Sequence, residues 1–92
     1  MPRYHFHTLN GRLFRDMDGE DLADDAAARR KALMIMGEVL RDGGIDLWGA
    51  DPFRVLCIDA AGSVVTGLVA QEMPAGAAAR ILANLELEAS DG

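Results

Sequence analysis

His5 and His7, two residues apart, and Asp16 beyond the Asn10-Gly11 pair are the residues whose types and spacing could do chemistry. On a strand, residues i and i+2 point to one side with Cα atoms about 6–7 Å apart. Such a pair offers two imidazoles to one divalent metal, which still needs a third ligand and often a fourth. If Asn10-Gly11 is a two-residue turn, Leu9 faces Arg12, His7 faces Phe14 and His5 faces Asp16, with Asp18 near. A His5/His7/Asp16 metal site is therefore one reading. The other, which the pattern favours, makes Tyr4 and Phe6 the core side of the strand and turns both histidines outward. His7 then hydrogen-bonds an acid of the 16–25 loop and ties the hairpin to it, since an Asp near a His is also an ordinary cross-strand pair.

Other chemistry finds less support. The stretch Asp16-Met17-Asp18-Gly19-Glu20-Asp21 invites comparison with a calcium loop, but its glycine comes two positions early and its twelfth residue is Ala27. Cys57 is the single cysteine, so no intrachain disulfide can form, and its apolar setting FRVLCID suits a buried thiol and not a nucleophile. Ser63 and Ser90 have no base close in sequence. Gly43-Gly44 closes a helix where a phosphate loop would open one. Trp48, in a connection, either caps the core or anchors a partner. Nothing pairs a nucleophile with a base, so the expectation is a protein that is not an enzyme and needs no cofactor.

The 92 residues suffice for one domain with one core. A net charge of −6 repels phosphate backbones, and the only basic cluster is Arg29-Arg30-Lys31, so nucleic acid is not an expected partner. The N-terminus lacks the apolar region of a signal peptide, and no run approaches the ~20 apolar residues that span a bilayer. The expected address is the cytoplasm, with no membrane partner.

The elements that must position these residues follow from spacing. Tyr4 to Leu9 alternates, Asn10-Gly11 signals a hairpin, and Leu13-Phe14 resumes the apolar pattern. Six acids in ten residues, Asp16 to Asp25, make a loop into a helix start. From Asp25 to Arg41, Ala28, Ala32, Ile35, Met36, Val39 and Leu40 recur at helical intervals, with Asp24 as N-cap and Gly43-Gly44 as the stop. Phe53–Asp59 and Val64–Ala70 read as two strands joined by a hairpin with Gly62 at its left-handed position. Pro74 opens a second helix striped by Ala78, Ile81, Leu82 and Leu85. The order β-β-α-β-β-α predicts an α+β two-layer sandwich: a four-stranded antiparallel sheet, one long helix covering it, and a C-terminal helix. Residues 1–73 would form the hairpin-helix-hairpin core of a single domain over 1–92, and 74–92 its C-terminal helix and tail.

The opening MPRYHFH, the Asn10-Gly11 turn and the phrase DMDGEDLAD carry a resemblance. The chain is similar to a family of small uncharacterised bacterial proteins, abundant in alphaproteobacteria. These begin M-P-R-Y-[FY]-F-H, continue D-x-x-G-x-[ED]-L-x-D into an Ala/Arg-rich helix, and carry later strands like I-x-V-x-D-x-x-G-x-x-[VL]. The matching residues are Pro2, Arg3, Tyr4, Phe6 and His7; then Asp16, Gly19, Asp21, Leu22 and Asp24; then Val55, Ile58-Asp59, Gly62 and Val64-Val65. The likeness covers about residues 1–70. His5 departs from the pattern, which has an aromatic there, and so does the C-terminal helical segment.

The resemblance implies one compact unit of a domain of unknown function and brings no activity, cofactor or catalytic residue. It does place His7, Asp16, Gly19 and Asp24 on motif positions, which implies structural or interaction roles for them. The function expected is a small binding or regulatory module working through protein–protein contacts as a homodimer. The alternative is a metal-binding or metal-sensing protein using His5, His7 and Asp16.

Overall fold

The computed structural model describes residues 1–43 and 51–91. The connection 44–50, with Gly44 and the interaction candidate Trp48, lies outside the described residues. Three strands precede the first helix: β1 (Arg3–Leu9), β2 (Leu13–Phe14) and β3 (Glu20–Asp21). Helix α1 (Asp25–Gly43), strands β4 (Phe53–Asp59) and β5 (Val64–Ala70), and helix α2 (Ala75–Asp91) follow. The fold is α+β, with one antiparallel sheet ordered β2-β1-β4-β5 and β3 also on β1.

The expected four strands thus become five. The extra one arises because the acidic segment runs back along β1 and pairs Tyr4 with Glu20 and Arg3 with Asp21. The hairpin register also differs from that of a two-residue turn. Leu9 pairs Leu13 and Thr8 pairs Phe14, so the connection is Asn10-Gly11-Arg12. Only Gly11 takes a positive φ, 68°, and the Asn10 N–H donates to the Arg12 carbonyl. A two-residue turn of the tightest kind asks both central residues for φ > 0, which Asn10 does not adopt.

Alternation on β1 and β4 sends Tyr4, Phe6, Phe53, Val55 and Cys57 to one face, where they are buried. Helix α1 covers that face with Ala28, Ala32 and Met36, while Ile35, Val39 and Leu40 pack at the margin. The two alanines are fully enclosed, and their small side chains let the helix backbone lie close to the strands. Asp24 caps α1 as expected, its Oδ1 accepting from the Ala27 N–H at 2.9 Å. The β4–β5 turn holds Gly62 at φ 87°, and Asp59 Oδ1 accepts from the N–H groups of Ala61 and Ser63. Two of the positive-φ glycines therefore sit at hairpins.

The other face of the sheet carries His5, His7, Arg54, Leu56, Ile58 and Val69, because their strand neighbours point to α1. Among the described residues no element covers it. The outer edge of β1 is paired or capped, whereas β5 forms the opposite edge. Helix α2 stands off the sheet, with Ile81, Leu82 and Leu85 each half or more exposed.

Candidate functional site

β1 must satisfy a whole outer edge using two very short strands. β2 serves only Thr8 and Leu9, and β3 only Arg3 and Tyr4. The stretch His5-Phe6-His7 between them would keep orphan backbone groups, and an unmet donor taken out of water costs about 1–3 kcal/mol. Asp16 fills this gap. Its Oδ2 accepts from the Phe6 N–H at 3.1 Å and its Oδ1 from the Gly19 N–H at 3.0 Å. Its own N–H donates to His7 Nδ1 at 2.9 Å, and its carbonyl oxygen lies 2.9 Å from His5 Nδ1.

These contacts fix the imidazole tautomers. A carbonyl oxygen only accepts, so the His5 proton sits on Nδ1. A backbone N–H only donates, so His7 Nδ1 bears the lone pair and the proton of the neutral ring sits on Nε2. The rings lie 6.4 Å apart between centroids. The expected tether between His7 and the acidic loop is present, but it runs to the backbone amide of Asp16 and not to a carboxylate.

The remainder of the acidic segment zips along β1. The Arg3 guanidinium donates to Asp21 Oδ1 at 3.0 Å, Asp21 Oδ2 at 3.3 Å and the Asp18 carbonyl at 2.8 Å. The Leu22 N–H donates to the Pro2 carbonyl, and Lys31 reaches Glu20 at 3.6 Å. The Tyr4 hydroxyl donates to Asp25 Oδ1 at 2.8 Å, joining the strand to the first turn of α1. Gly19 is required twice over. Its φ is 73°, and a Cβ there would stand 2.9 Å from both the Tyr4 carbonyl oxygen and His5 Cε1.

Electrostatics follow the geometry. Partial burial pushes the Asp16 carboxyl up, but N–H donors from Gly19, Phe6 and Asp18, with His5 nearby, outweigh it and hold the group below its ordinary value. The hydrogen bond and charge of Arg3 lower Asp21. Donation to Asp25, then burial, pushes the Tyr4 phenol up to about 12. Burial raises the Cys57 thiol, so it is held as the unreactive protonated form.

Of the sequence candidates, His5, His7, Asp16 and Gly19 converge here, and Asp24 caps α1 nearby. The donor set does not suit a metal. Both Asp16 carboxylate oxygens hold backbone donors, and His7 turns its lone pair to an amide with a proton on the other nitrogen. Among the described residues no group of three or more His, Cys, Asp or Glu side chains is placed to hold an ion. Sequence reading missed the Arg3–Asp21 fork and the Tyr4–Asp25 bond. Asp-x-x-Gly was the available signal for the Asp16 turn, since a carboxylate three residues before a left-handed glycine can accept that glycine's N–H.

Most contacts of this clasp join the two segments that carried the family resemblance. The model of a domain of unknown function, DUF6894, matches residues 3–70. The chain belongs to the DUF6894 family. The matched region of DUF6894 ends with the last residue of β5, so α2 lies beyond it. No curated protein and no solved structure matches the chain. No helix among the described residues is long and apolar enough to cross a membrane.

Proposed function

We propose that this protein is a small, non-enzymatic binding or regulatory module that acts through protein–protein contacts as a homodimer in the bacterial cytoplasm. One observation carries the reading: among the described residues, apolar side chains stand exposed both on the second face of the sheet and along the stripe of α2. Val64 and Val69 are 71% and 62% exposed on the sheet, and Leu82 and Leu85 58% and 57% on the helix. Apolar surface gathered in this way marks an interaction site more often than scattered exposed residues do. Neither nucleic acid nor a membrane belongs to the proposal, since the net charge of −6 opposes anionic surfaces. Light scattering at micromolar concentration tests it. A mass of two chains is expected, and a mass of one chain overturns the homodimer.

A further inference from the structure

We infer that α2 of each protomer docks on the open sheet face of a second copy, in a reciprocal exchange. The inference rests on the homodimer reading and adds to it which surfaces meet.

The two surfaces match in length. Seventeen helical residues span about 25 Å. The seven-residue strands beneath would run about 23 Å. Gly67 adds no side chain between Val64 and Val69 on β5, and Leu56 leans towards it, its Cδ2 3.4 Å from where a Cβ would stand. On α2, Ala78, Ile81, Leu82 and Leu85 form a stripe at intervals of three and four, the width a sheet can cover. Charge is complementary too. Glu88 borders the stripe, while Arg54 stands beside Val69 on the sheet face.

The occupant is a second copy because α2 projects away from its own sheet. The radius of gyration is 16.9 Å, against about 12 Å for a compact chain of this length. The molecule measures 51 Å along its longest axis and 21 Å along its shortest. The Ala78 N–H bonds the Pro74 carbonyl, so the helix starts at a proline that limits how the chain leaves β5. One docking would cover only about 500 Å² in all, from a 25 Å stripe roughly 10 Å wide on two surfaces. Two-fold exchange doubles this to on the order of 1,000 Å², the lower bound for a specific interface.

The test uses full-length chains and light scattering at micromolar concentration. Leu82→Arg/Leu85→Arg spoils the helix stripe, and Val69→Arg spoils the sheet face. Cooperative thermal unfolding and the alkaline titration of Tyr4 confirm that the core of each variant is folded. Wild type should have the mass of two chains and each variant the mass of one. A dimeric wild type whose Val69→Arg variant stays dimeric would mean that helices pair with each other or that another edge joins the copies. That result overturns the docking and leaves the homodimer standing. A one-chain mass for wild type overturns both, and covers the case in which α2 folds back on its own sheet.

Discussion

At the middle of β1 a single carboxylate stands in for a neighbouring strand. Asp16 satisfies Phe6 and Gly19 with its side chain and both histidines with its backbone. Asp16→Ala should therefore cost about 1–3 kcal/mol, read as a lower urea midpoint with unchanged slope. The acid dependence has a definite sign. The folded pKa lies below the unfolded one, so this contribution is complete above the ordinary carboxylate range and is lost as pH falls through the folded value. Asp16→Asn should flatten that part of the acid limb, and an unaltered limb would deny Asp16 the role. Tyr4 works in the opposite direction. Its folded pKa, about 12, exceeds the unfolded value of 10.0, so its contribution holds below that value and fades as pH climbs towards the folded one. Tyr4 is the sole tyrosine. Phenolate absorbance should thus show one transition near 12 that moves towards 10 in Asp25→Asn, and a wild-type midpoint at 10 would contradict the Tyr4–Asp25 bond.

The elements were legible to different degrees for physical reasons. α1 was plain because a long stripe with a capping aspartate has few competing conformations, and the structure extends it only to Gly43. β4 and β5 were plain because β-branched runs flank a turn glycine. β3 was hidden: Glu20-Asp21 has no apolar signal, and it is a strand only because Arg3 and the free edge of β1 draw it in. The hairpin register was misread because an Asn-Gly pair suggests two turn residues, whereas three are used here. The clasp was half legible, since partners nine to twenty-one residues apart share no local period. α1 itself supplies a test by contrast. Ala32 is fully enclosed, so Ala32→Leu should overpack the helix–sheet interface and cost about 1–3 kcal/mol. Leu33 is 64% exposed, so Leu33→Ala should stay within about 0.5 kcal/mol. Equal effects in thermal unfolding would refute this placement of the helix faces.

The whole molecule divides by how its parts are held. Residues 3–70, the family region, close on themselves through the clasp and the α1–sheet core, whereas the apolar stripe of α2 stands exposed among the described residues. Its first turn carries no acid and its last turn no base, so the dipole is uncompensated at both ends. Gly76 in the first turn adds a penalty of up to about 1 kcal/mol relative to alanine. Isolated helices near this length are marginal in water even when alanine-rich, because nucleation is costly and packing normally supplies the stability. A helix in this position should be formed when a second copy covers it and frayed when none does. Helical circular dichroism should therefore fall on roughly hundredfold dilution through the dissociation range, by mass action. The Tyr4 titration near 12 should not move over the same series, since the clasp closes within one chain. A constant helical signal across the dilution would show that α2 is stable alone, and would remove the reason for it to seek a partner.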